Sequence, residues 1–557
     1  MMRLQRRLAW TVALSVFVLG ACDDNTSEPD VLTPPAGVTA TATTQDRVTV
    51  TFAAVSGATS YTIQRATGAT GGTFAQVGTT NTTSYADTSV DEETTYRYRV
   101  AAVRGSETSG FSTEVSVTTS ARAVVTINSD ITQSRTFHAD TVYLLSGFIH
   151  VANSATLTIQ PGTKIMGDYN TLGSSLFVMR GAKIRAMGTA EAPVVFTSSR
   201  PEGQRQPGDW GGVVIVGNAQ INRAGPTIVE GTGTGASNPS IDYSGGNNDA
   251  DDSGELHYVR IEFAGFAPVQ DAELNSLTLA AIGSNTDIDH VQTLAGLDDS
   301  FEFFGGTVDA KYLVSYESGD DHFDMSEGYR GRLQYLIAYQ TQVLQPRQGA
   351  GSVASDPQGI ENDGCGSNTS AGCTNGYNST PLNIPVVANF TLIGRNVLGA
   401  GSGEVGMVLR RGTGGHYVNG VIGRMARAAI SLRDAQTAQR IADGDLTLNN
   451  ILITESPVIY QTGQTGGTID TTAANIVRSA NTTASVFTAL PATTPANASQ
   501  IDWTPAANSP AATGGLNAFT GKLLTAAGNF VTPTAYRGAA APGGEKWWQN
   551  WTNFASN

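Results

Sequence analysis

The 557-residue chain is poor in the residues that most often carry chemistry. It has three cysteines and six histidines, and only 15 % of it is charged. No CxxC pair and no HExxH occur, and the histidines (138, 150, 257, 290, 322, 416) are scattered, so zinc catalysis is not expected on spacing. Basic residues are also scarce. The formal charge of -15 leaves no electropositive surface for phosphates, and nucleic acid is not an expected partner. It suits cations, or simply the solvation of an exported protein. No Gly-x-Ser-x-Gly or P-loop is present. The glycine-rich stretches "GTGTGASNP" and "RRGTGGH" open no helix, so nucleotide binding is not expected. No apolar run reaches the length of a membrane span.

The chain is rich instead in glycine (63 residues), Thr, Ser, Asn and Val, a balance that suits many short strands joined by turns. The expected fold class is all-β. At this length the prior is two or more domains, or one domain and a repeat array.

Arg3, Arg6 and Arg7 precede an apolar run from Leu8 to Leu19, too short to cross a bilayer, and Leu-Gly-Ala-Cys follows at 19–22. This resembles a bacterial lipoprotein signal. The resemblance implies removal of residues 1–21, lipidation of Cys22 and export to the cell envelope, with the outer membrane and surface exposure as the expected location. Residues 22–33, "CDDNTSEPDVLT", read as a polar tether. Cys365 and Cys373 lie eight apart in "ENDGCGSNTSAGCTNGYNSTP". In an exported protein a disulfide stapling that excursion is the default reading.

Residues 34–119 hold seven short alternating runs, among them "RVTVTF", "SYTIQR" and "TTYRYRVAAV". Together with the opening Pro34-Pro35, Phe52 where a Trp is usual, Tyr61, "SYADTSV" and Tyr96 at a tyrosine-corner position, they resemble a fibronectin type III domain. That resemblance implies a β-sandwich used as a spacer or binding module.

From 121 to 557 the texture becomes strand, Gly, strand at 20 to 25 residues, as in "TLTIQPGTKIMGD", "SLFVMRGAKIRAMGTAEAPVVFTS", "GDWGGVVIVGNAQIN" and "GMVLRRGTGGHYVNGVI". These coils resemble the right-handed parallel β-helices of secreted and surface proteins, a pectate-lyase-like fold that hosts lyases, polygalacturonases and adhesins. Each coil must stack on its neighbours to bury an apolar face. The C-terminal Trp547, Trp548 and Trp551 read as a cap over the open end of the solenoid, or as stacking platforms for sugar rings.

"LDDSFEFFGGTVDAKYLVSYESGDDHFDMSEG" (297–328) states one acidic phrase twice. Asp298 and Asp320, Asp299 and Asp321, Phe301 and Phe323, and Glu302 and Asp324 are each 22 apart, one coil. Stacking puts such pairs about 4.8 Å apart, so the phenylalanines form an inner ladder and the acids a carboxylate ladder. Three uses are open for the acids: solvated turns, calcium, or acid–base catalysis by paired carboxyls. A second candidate calcium loop, "SGGNNDADDSGEL", places Asp249, Asp251 and Ser253 at alternate positions before Gly254, although Arg260 stands where the motif needs Glu. Polygalacturonase-like β-helices carry Asn-Thr-Asp, Asp-Asp, Gly-His-Gly and Arg-Ile-Lys. Here Asn285-Thr286-Asp287 and Asp298-Asp299 are only 11 apart, Gly415-His416 runs into Tyr417, and no Arg-Ile-Lys occurs. No catalytic residue is assigned. The leading expectation is a non-enzymatic surface protein that binds polysaccharide or another cell surface, with calcium as the one candidate cofactor. The alternatives are a polysaccharide lyase or glycosidase using the ladder, and a structural envelope component.

Overall fold

The computed structural model describes residues 31–555 apart from 237, 270–271, 355–356, 367–371, 396–404, 492–494 and 496. Cys22, the signal segment and most of the tether lie outside the described residues. The chain divides into two compact units between Arg122 and Ala123.

In the first unit, Thr39–Thr44, Arg47–Thr51 and Ser84–Asp87 form one antiparallel sheet. Ala75–Thr80, Ser60–Thr67, Thr95–Arg104 and Glu107–Thr108 form the second, with Val115–Thr118 also pairing on Thr95–Arg104. Alternation decides which face is buried: Val48, Val50, Ile63, Tyr98 and Val100 turn inward and are fully covered. Phe52 packs 4.6 Å from Tyr61, filling the place of the missing indole. The Tyr96 hydroxyl accepts the Asp91 N–H at 2.8 Å, the tyrosine corner of a fibronectin type III sandwich.

In the second unit, the strands of the solenoid form two main parallel sheets of 17 and 9 strands among the described residues. This is the stacking of a parallel β-helix. Neighbouring coils pair in register, as Glu302 with Asp324 and Phe303 with Met325. The excursion between Val216 and Gly254 leaves the register intact, because Ile184 still pairs with Gly254. Phe301 and Phe323 stack inside at 5.2 Å with rings 13° apart, as their 22-residue spacing requires.

The long strands of the larger sheet bend at one residue per coil. Tyr258, His290, Tyr312, Tyr335, Asn389, Asn419 and Asn450 all have positive φ, between 49° and 66°. A non-glycine residue in this region costs about 1–2 kcal/mol, least for Asn, and the stack repays part of it. Ring centroids are 4.3 Å apart for Tyr258 and His290, 4.4 Å for His290 and Tyr312, and 5.0 Å for Tyr312 and Tyr335.

The terminal tryptophans differ from both expectations. Trp547, Trp548 and Trp551 are buried along the flank of the solenoid, not over its open end. Trp551 meets Tyr258 edge-on at 5.8 Å, and Trp547 meets Tyr312 at 5.2 Å, so the rings keep no free face for a sugar. Gln292 exchanges two hydrogen bonds with the Asn553 backbone, both 2.7 Å, and Gln334 does the same with Thr532 at 2.7 and 3.0 Å. The segment is a lateral strap, held by these hydrogen bonds and by the tryptophans' packing on the edges of the bend column. Cys365 and Cys373 are disulfide-bonded, and both are buried. Among the described residues no helix is long and apolar enough to cross a membrane.

Removing one rung of the inner ladder leaves a cavity that rigid neighbouring coils cannot close. Phe323→Ala is expected to lower the unfolding free energy of the second unit by about 3–5 kcal/mol, read by urea denaturation. A loss below about 1 kcal/mol would mean that the coils relax around the gap.

Candidate metal centre

The acid ladder is built by alternation on the smaller sheet. In Phe301–Gly306, Phe323–Ser326 and Gln358–Asp363 the residues Phe301, Phe303, Phe323, Met325 and Ile360 point into the core. Their neighbours Glu302, Asp324 and Glu361 therefore point out. Register aligns the last three in one column, since Glu302 pairs with Asp324 and Asp324 with Glu361. Asp298, Asp299, Asp320 and Asp321 sit in the turns that enter the first two of these strands.

Part of this arrangement is ordinary turn chemistry. Asp299 Oδ1 accepts the Asp321 N–H at 2.8 Å, and Asp321 Oδ1 accepts the Gln358 N–H, so each turn is clasped to the next coil. The other carboxylate oxygens converge. Ligand atoms of Asp298, Asp299 and Asp320 lie within 4.8 Å of one another. The same holds for Asp299, Glu302 and Asp324, and for Asp321, Asp324 and Glu361. Asp299 and Asp324 thus link three triads in a row. Glu302 Oε1 and Asp324 Oδ1 are buried without any hydrogen-bond partner.

Burial outranks every other influence on these groups and raises all of them. Asp298 and Asp299 are held well above the usual carboxylate range, first by desolvation and then by neighbouring acids, Glu230 and Glu273 for Asp298 and Asp298 itself for Asp299. Glu302, Asp320, Asp321 and Asp324 are raised for the same reasons. Glu361 is pushed up to about 7 by burial and Asp363, with Arg410 opposing. The positive charge is concentrated at that end. Arg410 bonds Glu361 and, at 2.7 Å, Asp363, while Arg411 reaches Asp363 at 2.6 Å. Below the ladder, Ser315 Oγ and His322 Nδ1 are 2.6 Å apart, and burial pushes the imidazole down to about 3.

An all-oxygen, all-carboxylate donor set fits a hard cation such as calcium rather than zinc or copper. Orphaned oxygens of Glu302 and Asp324 are what such an ion would occupy, and its charge would offset repulsion that nothing on those two strands offsets.

The remaining sequence candidates separate. Asp249 Oδ1 accepts the Gln220 N–H at 3.0 Å and Oδ2 pairs with Arg330 at 2.8 Å, whereas Asp251 Oδ2 takes the Ser253 hydroxyl at 3.1 Å. These bonds make the 244–256 loop a clasp between excursion and solenoid. Among the described residues it forms no acid triad. Asp287 begins the strand Asp287–Leu294 of the larger sheet and pairs with His257, away from Asp298 and Asp299. His416 lies on that sheet too and bonds Thr447. The polygalacturonase-like set is not assembled. Glu361 escaped the sequence reading because the excursion before Gln358 stretches the coil from 22 to 37 residues and hides the repeat.

These parallel coils, with an outward acid ladder on one sheet, define a β-helix protein of the pectate-lyase type. The chain belongs to the pectate-lyase-like beta helix domain family, whose pattern matches residues 129–505. That membership fits a carbohydrate-related surface protein. No curated protein matches the chain. Solved structures resemble a short part of it. An Fn3-like protein from Clostridium thermocellum is 32 % identical over 15 % of this chain and 86 % of its own, with a TM-score of 0.14. The FN5 domain of Drosophila Lar is 19 % identical over 16 % and 99 %, with a TM-score of 0.15. Titin kinase with its flanking domains is 25 % identical over 16 % of this chain, with a TM-score of 0.16, and the chain spans only 18 % of that structure.

The raised carboxyls fix a pH dependence for the chelated protein. Each binds its proton more tightly folded than unfolded, so the native state holds more protons and its stability falls as pH rises through the folded values. His322 and His416, both lowered, act in the opposite sense below about pH 6.5. The clean window is therefore about pH 6.5 to 8, where Glu361, Glu317 and Glu327, each at about 7, also titrate. In EDTA the urea midpoint is expected to drop steadily across that window. A midpoint that climbs with pH would contradict the assignment.

Proposed function

We propose that the protein is a surface-exposed lipoprotein, anchored through Cys22 in the outer membrane, that binds polysaccharide or another cell surface without cleaving it. In this reading the ladder of Asp298, Asp299, Glu302, Asp320, Asp321 and Asp324 holds calcium. The observation that carries the metal is the pair of buried, unpartnered oxygens on Glu302 and Asp324 inside a group of converging carboxylates. Leaving such oxygens desolvated and bare costs several kcal/mol per ionised group, which a divalent ion offsets.

Binding is favoured over catalysis by the state of the acids and bases. A glycosidase needs two carboxyls facing a sugar across open space. Here the oxygens crowd within 4.8 Å, and Asp299, Glu302, Asp321 and Glu361 are buried. Proton abstraction would need a free base beside them, and Arg410 and Arg411 are committed to Glu361 and Asp363. The charge of -15 supports no nucleic-acid partner.

Calcium titration of the soluble 23–557 fragment is expected to raise its melting temperature, and EDTA to reverse the rise. Asp324→Asn removes a buried charge with an orphaned oxygen. It is expected to raise the melting temperature in EDTA and to abolish the response to calcium. A melting temperature indifferent to calcium in the wild type would sink the metal reading. On a glycan array the fragment is expected to bind without releasing reducing ends, and product release would overturn the non-enzymatic one.

A further inference from the structure

The acid ladder holds more carboxylate than one ion can use. Arg410 and Arg411, at its end, pair with Glu361 and Asp363. Among the described residues no ion pair reaches the other six acids, Asp298, Asp299, Glu302, Asp320, Asp321 and Asp324. Backbone N–H groups take one oxygen each from Asp299 and Asp321. Calcium accepts about 6–8 oxygen ligands, some of them carbonyls and water, so six carboxylates with two oxygens apiece exceed a single shell. Charge gives the same answer. One divalent ion would leave four of six negative charges unanswered around the buried Asp299, Glu302 and Asp321, and two ions leave two.

The three triads of the ladder offer three positions, and they differ. Asp298, Asp299 and Asp320 form the first, in the turns. Besides its burial, Asp298 there feels the charges of Glu230 and Glu273, which lie outside the ladder. Asp299, Glu302 and Asp324 form the second, and it contains the buried Glu302 Oε1 and Asp324 Oδ1 that no donor reaches. Asp321, Asp324 and Glu361 form the third, where a cation is already present. Arg410 Nη2 donates to Glu361, and its Nε donates to Asp363 at 2.7 Å. Burial opposes the Arg410 charge, but Asp363, Glu361 and Asp324 outweigh it. The strand register closes the column at the same place. Glu361 pairs with the buried Val408, and Glu302 at the far end pairs with Thr278, so three outward acids stand in line and no fourth follows.

We propose that the ladder holds two calcium ions, one in the turn triad and one in the strand triad with Asp299 shared between them, and that Arg410 fills the third position as a built-in cation. The proposal rests on the calcium reading above and adds to it a stoichiometry and the residue that limits it. The test is equilibrium dialysis of the 23–557 fragment against calcium, with the bound metal counted by atomic emission. Wild type is expected to hold two ions per chain. Asp298→Asn and Glu302→Gln are each expected to hold one, since each variant spoils one triad and spares the other. Glu361→Gln is expected to keep both, because Arg410 already occupies the position that Glu361 serves. Arg410→Gln frees that position and is expected to take up a third ion. If Arg410→Gln does not fold, the near-isosteric Glu361→Gln tests the third position alone. One ion or three in wild type, a count lowered by Glu361→Gln, or a folded Arg410→Gln that stays at two overturns the proposal. A single ion in wild type would do so while leaving the calcium reading intact, whereas no bound ion at all would remove both.

Discussion

Parallel stacking in register places every side chain about 4.8 Å from its counterpart one coil away, and most of the molecule follows from what that distance does to like residues. Like apolar residues gain by it, as Phe301 over Phe323 does inside the coil. Like acids lose by it. Glu302 over Asp324, with Asp299 and Asp321 in the adjoining turns, concentrates negative charge that water would otherwise screen. One rule of geometry therefore builds the core and creates, among the described residues, the densest group of converging carboxylates.

The bends obey the same rule. A left-handed residue in a single coil is a local cost, but a column of them at Tyr258, His290, Tyr312 and Tyr335 forms a stack that a second aromatic surface can cover. The C-terminal strap supplies that surface. Its tryptophans belong to the packing energy of the flank. Their burial also explains why the chain's densest aromatic segment is no sugar platform.

Legibility in the sequence tracked periodicity. The fold class, the Phe301–Phe323 stack and six of the ladder acids followed from a 22-residue repeat that two intact coils display side by side. Glu361 did not, since 15 extra residues separate it from its counterpart, 37 positions against 22. The role of the tryptophans was hidden for a related reason. Contacts such as Gln292 with Asn553 join residues 261 apart, which no local pattern encodes. Asp249 and Asp251 show the reverse case: half a calcium motif was legible, but Arg330, which answers Asp249, sits 81 residues away.

The excursion between Val216 and Gly254 adds a last consequence. It lies on the outer face of the smaller sheet, where Tyr243 packs 5.5 Å from Phe304, and it brings Glu230 near enough to raise Asp298, Glu302 and Asp324 further. A folding chain gains apolar contact by laying this segment down, and pays for it in repulsion between Glu230 and the ladder. Those two effects have different dependences. Apolar contact is indifferent to pH and to cations, whereas the repulsion vanishes when the acids are protonated or bridged. The attachment of the excursion is thus sensitive to what occupies the ladder. A cation held there would act on the shape of the outer surface as well as on stability.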